Sequence, residues 1–341
     1  MTKKDLLLKL ASERILILDG AMGTMIQRYN LTEADFRNVA LKDHPKSLKG
    51  NNDLLSITRP DVIKEIHAQY FEAGSDIIET NSFSGTWVAQ DDYECSEWVY
   101  QINYQSAAIA REVADRYTAL NPSKPRFVAG AMGPTTKLSS MSPDVNDPGY
   151  RAITFAQLVN AYREQVKGLV DGGVDLLLIE TITDTLNAKA ALFAIDEELE
   201  SRGLSTDDVP IMISGTITDA SGRTLSGQTT EAFLVSVSHI PLFSIGLNCA
   251  LGAPQMRPFL QVLSDKADVL VSAYPNAGLP NHFGEYDESP AQMQQYIREF
   301  LELNLVNILG GCCGTTPDHI RSIAEVAQEF APRSFASLKH A

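Results

Sequence analysis

The chain has 341 residues, 44% of them hydrophobic and 21% charged, with a formal net charge of -15 at pH 7. That length is enough to bury a large core, in one domain or two. The acidic balance, without any Lys/Arg cluster, argues against nucleic acid or an anionic membrane surface as partner. No apolar run approaches the roughly 18 residues of a membrane span. At the start, Asp5 and Lys9 interrupt any signal-like stretch, so the expected setting is the cytoplasm.

Short runs rich in Ile, Leu and Val recur along the chain at 15–19, 76–80, 127–130, 176–181, 211–216, 243–249, 269–273 and 306–310. Several are apolar almost without alternation, which suits parallel strands covered on both faces. Segments with helical spacing lie between them. Residues 61–73 follow Arg59-Pro60, carry Val62, Ile63, Ile66, Tyr70 and Phe71 on one face, and stop at Gly74. Residues 153–170 end at Gly172-Gly173 in the same way, and 186–198, 254–263 and 292–303 repeat the device. A strand and helix repeated eight times predicts a single-domain (β/α)8 barrel, a TIM barrel, over residues 1–331. A doubly wound open sheet is the alternative, but Asp19-Gly20-Ala21-Met22-Gly23-Thr24 lacks its G-x-G-x-x-G turn.

Two connections exceed ordinary loops. Residues 27–56 are polar and are expected to fold over the barrel mouth, while 137–150 hold the turn residues Ser142-Pro143-Asp144 and Asp147-Pro148-Gly149. Residues 332–341 read as a tail or the start of a linker.

The last strand leads into Gly310-Gly311-Cys312-Cys313-Gly314-Thr315-Thr316-Pro317. Glycines here let the backbone turn sharply and let a ligand or metal approach. Thr316 is placed to cap a helix beginning at Pro317, with Ile320, Ile323, Ala324, Ala327 and Phe330 on its apolar face. Its positive end favours thiolate at Cys312 and Cys313. Packed small hydrophobes or a redox-active vicinal disulfide are the competing readings of this pair, though no Cys-x-x-Cys accompanies it.

In a barrel, polar residues at the C-terminal strand ends mark the site. Here they are Asp19, Glu79-Thr80-Asn81, Glu180-Thr181, Ser214-Gly215-Thr216, Asn248-Cys249 and, three residues beyond the seventh run, Asn276. Cys249 closes the sixth strand, so its end lies roughly 10 Å from that of the eighth, two strand spacings away. Three thiolates from Cys249, Cys312 and Cys313 would hold zinc by bonds of about 2.3 Å and leave one tetrahedral position open, the arrangement of a catalytic rather than a structural site. Cys95 falls in a helical segment after the second strand, and His282 and His319 are near the site loops only in sequence. Asn276 could lend a weak, displaceable oxygen. A Zn(Cys)3 centre is a poor Lewis acid for water but suits a substrate thiol, which loses its proton on the metal and then attacks an electrophilic carbon. Asp19 and Glu180 would hold a cation such as the α-ammonium of an amino acid.

These residues resemble a known family. Leu18-Asp19-Gly20-Ala21-Met22-Gly23-Thr24, Gly246-Leu247-Asn248-Cys249 and Gly310-Gly311-Cys312-Cys313-Gly314 are similar to the zinc-dependent homocysteine S-methyltransferases. Lys49-Gly50-Asn51-Asn52-Asp53-Leu54, the stretches 142–148 and 213–224, and Pro275-Asn276-Ala277-Gly278-Leu279-Pro280 resemble the homocysteine-binding modules of cobalamin-dependent methionine synthases. The resemblance spans about residues 12–335. It implies a methyltransferase of methionine biosynthesis with a (β/α)8 fold and zinc on Cys249, Cys312 and Cys313, with Asp19 and Glu180 around the substrate amino group. It further implies methylcobalamin as the methyl donor, on cobalamin- and folate-binding modules outside this chain. A standalone enzyme using S-methylmethionine or betaine is the alternative, and a non-catalytic zinc or thiol-binding module is another.

Overall fold

A computed structural model describes residues 2–219 and 221–334. Eight parallel strands, β1 (Leu16–Ile17), β2 (Ile77–Glu79), β3 (Phe127–Met132), β4 (Leu176–Ile182), β5 (Ile211–Gly215), β6 (Ser244–Gly252), β7 (Leu270–Asn276) and β8 (Ile308–Leu309), pair in the order β1-β8-β7-β6-β5-β4-β3-β2. A bridge from Leu18 to Ile77 joins the two ends of that order, so the sheet closes on itself. Helices alternate with the strands. The chain is a (β/α)8 barrel.

The alternation within each strand separates two cores. Leu16, Leu18, Ile77, Phe127, Ala129, Leu176, Leu178, Met212, Leu270 and Ile308 fill the barrel lumen. Their neighbours Ile17, Ile78, Val128, Leu177, Ile213 and Val271 pack outward with the helices. A helix not expected from the sequence, Lys3–Glu13, plugs the lower end with Leu7 and Ala11. Its sequence shows leucines and lysines without a clear face, because only those two positions reach full burial.

Carboxylates at the lower strand ends are neutralised. Asp76 accepts from Arg14 at 2.6 Å and from the Ile17 N–H, and Asp175 accepts from Lys3, Arg111 and the Val128 N–H. Buried charge there has cationic and backbone partners, as structural charge must.

The long connections correct one expectation. Of 27–56, only Gln27 and Arg28 border the main cavity, and the rest packs beside the mouth against residues 80–95. Segment 137–150 borders the cavity nowhere and is tied down by Ser139 to Asn187 and Ser140 to Asp184. Arg333, expected in the tail, is buried on the barrel and donates to the carbonyls of Ser264, Ala267 and Val269. The remainder of the expected tail, 335–341, lies outside the described residues. Among the described residues no helix is long and apolar enough to cross a membrane.

Candidate active site

The C-terminal strand ends open into a cavity of about 650 Å3, lined among others by Asp19, Glu79, Glu180, Cys249, Cys312, Cys313 and Tyr286. The sequence-predicted cysteines meet there. Their sulfurs all lie within 4.8 Å of one another, and those of Cys249 and Cys313 are 3.8 Å apart. Two thiolates on one tetrahedral zinc, each about 2.3 Å from the metal, stand about 3.8 Å apart by simple trigonometry. A disulfide would need about 2 Å; all three thiols are free. The donor set and its spacing therefore fit a zinc ion.

Strict alternation would turn Cys249 away. Ile245 and Leu247 both pack outward against the helices, and residue 249 shares their parity. Instead the pairing slips between Asn248 and Gly252, and Cys249 and Ala250 take left-handed φ values of 58° and 53°. This bulge re-aims the thiol toward the lumen, the usual work of a bulge at an active site.

Cys312 and Cys313 are fixed by backbone. Gly311 N–H donates to Asp19 O, Cys312 N–H to Pro275 O, and Cys313 O accepts from the Ala277 N–H. The flanking glycines serve protein packing, and Gly311 and Gly314 also line the cavity. A Cβ on Gly310 would lie 2.8 Å from the Leu18 Cβ, and one on Gly311 would lie 2.6 Å from Thr315. Gly314, at φ +81°, lets Tyr286 sit directly over the turn. Thr316 caps the helix Pro317–Ala327 as expected, with His319 completing the box through Nδ1. His319 borders the cavity but its Nε2 is engaged with Glu288 O, so it serves the cap. Cys95 sits not in a helix but between two short 3-10 turns, buried beside His44 and away from the other thiols. His282 is exposed.

In the thiol trio, hydrogen bonds from Cys249 and then Cys312 push Cys313 down to about 3, while hydrogen bonding to Cys249 and Cys313 pushes Cys312 up. Three clustered sulfurs of this kind suit a bound cation.

Three carboxyls, buried at Asp19 and Glu180 and half-buried at Glu79, line the same cavity. Asp19 and Glu180 were singled out in the sequence. Glu79 joins them because β2 alternates Ile77 inward, Ile78 outward, and 79 inward again. Burial raises all three. Glu79 goes to about 7, and Asp19 and Glu180, with neighbouring carboxylates adding to desolvation, go well above the usual range. Asp19 Oδ2 accepts the Glu79 N–H at 3.0 Å, whereas its buried Oδ1 has no partner. No Lys or Arg pairs with any of the three among the described residues, in contrast to Asp76 and Asp175 below. Carboxyls without a cationic partner at a cavity are candidates for a functional role.

Asn276 is the last residue of β7 rather than three residues past it. Its side chain is buried, with Oδ1 unpartnered, and it does not line the cavity.

Other proteins share this arrangement of chain. In fold, it is similar to the metallated homocysteine methyltransferase MmuM from Escherichia coli, with a TM-score of 0.71 and 22% identity over 93% of this chain and 98% of that one. The oxidised form of that protein gives a TM-score of 0.72 and 23% identity over 94% and 98%. The homocysteine S-methyltransferase family model matches residues 16–327, nearly the whole barrel with its carboxyls and thiols. The chain belongs to the homocysteine S-methyltransferase family and is a methyltransferase enzyme.

Proposed function

We propose that this barrel activates homocysteine as a thiolate for S-methylation to methionine, with zinc held by Cys249, Cys312 and Cys313 and methylcobalamin, carried on other modules, as the methyl donor. The observation that carries the reading is the confrontation, in one cavity, of three clustered sulfurs with three carboxyls that have no cation. Zinc held by Cys249, Cys312 and Cys313 would supply the positive charge that lets a substrate thiol give up its proton at neutral pH.

The chain's own residues do the rest. Asp19 and Glu180 receive the α-ammonium, and its charge offsets the burial and carboxylate neighbours that raise both groups. Glu79 adds a third carboxyl and orients Asp19 through its backbone N–H. Anchored at that end, the substrate points its thiol toward the sulfurs across the lumen, which fixes the nucleophile for attack. Asn276, expected as a weak oxygen donor to the metal, ends β7 buried with Oδ1 unpartnered and outside the cavity lining, which does not favour that role. Methylcobalamin as donor rests on the stretches 49–54, 142–148, 213–224 and 275–280, quoted above for their resemblance to methionine synthase modules.

Zinc-loaded protein with homocysteine tests this directly. Methionine should form with added methylcobalamin and not with S-methylmethionine or betaine. Turnover with a sulfonium or betaine donor alone would overturn the donor assignment and make the chain a standalone enzyme.

A further inference from the structure

Asn248 is fully buried where two departures from regular strand geometry meet. On β4 the pairing slips between Ile179 and Ile182, and Thr181 takes a φ of 57°. On β6 the bulge at Cys249 and Ala250 follows Asn248 immediately. Left-handed conformations at residues other than glycine are costly and persist only where the surroundings impose them. The Asn248 side chain holds the first of them and lies next to the second. Asn248 Oδ1 accepts the Thr181 N–H at 3.0 Å, and Nδ2 donates to Thr181 Oγ1 at 2.8 Å. Its second Nδ2 hydrogen faces the Cys312 sulfur at 3.8 Å. The main-chain oxygen of Asn248 accepts from the Thr216 hydroxyl just past the end of β5, which fixes the backbone too.

The amide orientation is decided by these partners, because only Oδ1 can accept the Thr181 N–H. One residue therefore joins the strand that carries Glu180 to the strand that carries Cys249 and also touches Cys312. Thr181 follows Glu180 directly, and Cys249 follows Asn248 directly. Among the described residues no other side-chain hydrogen bond joins β4 to β6.

We infer that Asn248 is a positioning residue that fixes the spacing between the amino-group anchor at Glu180 and the sulfur cluster, and so sets zinc retention and homocysteine affinity together. This rests on the zinc and homocysteine reading above. An N–H aimed at Cys312 also stabilises its thiolate form and limits charge build-up on the sulfur.

The test compares zinc-loaded wild type with Asn248→Asp, Thr181→Ala and the double variant. Asn248→Asp keeps the shape and the acceptor for Thr181 but replaces the N–H toward sulfur by an oxygen. Three readouts are taken: the rate at which a chelator withdraws zinc, the homocysteine Kd from proton release, and the melting temperature. Substitution of groups that orient metal ligands commonly changes metal affinity by about 10- to 100-fold. Asn248→Asp is accordingly expected to lose zinc about tenfold faster and to bind homocysteine about tenfold more weakly. Thr181→Ala should weaken homocysteine binding in the same direction, and the double variant should be no worse than Asn248→Asp. Changes within twofold in both zinc loss and Kd for Asn248→Asp, or effects that simply add in the double variant, would overturn the inference. If Asn248→Asp does not fold, Thr181→Ala decides on the same readouts. Wild type that retains no zinc, or releases no proton with homocysteine, would overturn the functional reading itself and this inference with it.

Discussion

The main-chain N–H of Glu79 donates to Asp19 Oδ2 at 3.0 Å and leaves Oδ1 of the same carboxyl buried without a partner. A buried acceptor in that condition carries a desolvation cost that a cationic ligand removes on binding. Asp19→Asn and Glu180→Gln each keep the shape and delete the charge. Hydrogen bonds to charged groups contribute about 1.5–3 kcal/mol, so each variant should bind homocysteine about tenfold to a hundredfold more weakly and leave zinc content unchanged. Calorimetry on zinc-loaded protein checks this, and unchanged affinity in both variants would detach the carboxyls from the substrate.

The thiols are separable from the fold. The barrel lumen closes below them with Leu16, Leu18, Ile77, Leu176, Met212 and Ile308, none of which depends on a metal. Cys249→Ala, Cys312→Ala and Cys313→Ala should each abolish tight zinc binding while circular dichroism and cooperative melting stay close to wild type. Unfolding of these variants would make the centre structural and refute an open coordination position.

Asp53 gives stability a pH dependence of known sign. It is buried, receives one backbone donor from Ser84, and burial lifts its carboxyl from 3.8 to about 7. The folded chain holds that proton more tightly than the unfolded chain. Its stabilising contribution is therefore complete below 3.8 and is lost as pH rises through about 7. Asp53→Asn removes the titration, so its melting temperature relative to wild type should climb steadily from about pH 4 to about pH 8. Parallel melting curves across that range would contradict the assignment.

Gly314 tests the turn that presents the thiols. A methyl group there would lie 2.2 Å from the Tyr286 Cβ, at a φ of +81° that a side chain rarely adopts. Gly314→Ala should cost about 1–3 kcal/mol and displace Tyr286, which lines the same cavity as Cys313. Thermal melting and the rate of zinc loss report the two effects separately. A fully wild-type profile in both would show that the turn tolerates a side chain.

Much of this was legible in the chain because parallel barrel strands are apolar on both faces and announce themselves as uninterrupted runs. All eight runs correspond to strands, and the polar residues at their ends are where site residues lie. What was not legible depends on three-dimensional closure. Cys249 sits on the outward parity of β6 and is redirected by a bulge that no local pattern encodes. Glu79 was visible as a strand-end residue, but its membership of the carboxyl cluster depends on which face of β2 closes toward β4. The helix Lys3–Glu13 buries few positions, so its periodicity is faint. The polar stretch 27–56 could be placed at the mouth end but not beside rather than over it, since its anchors, such as Asn52 to Asn81 and Asp53 to Ser84, are made with residues distant in sequence.

Sulfur coordination around bound zinc, measured by X-ray absorption with and without homocysteine, tests the central claim most directly. The account predicts three sulfur neighbours in the free protein, with one lighter atom, and four once homocysteine is present. Four protein ligands that stay unchanged when homocysteine is added would contradict it.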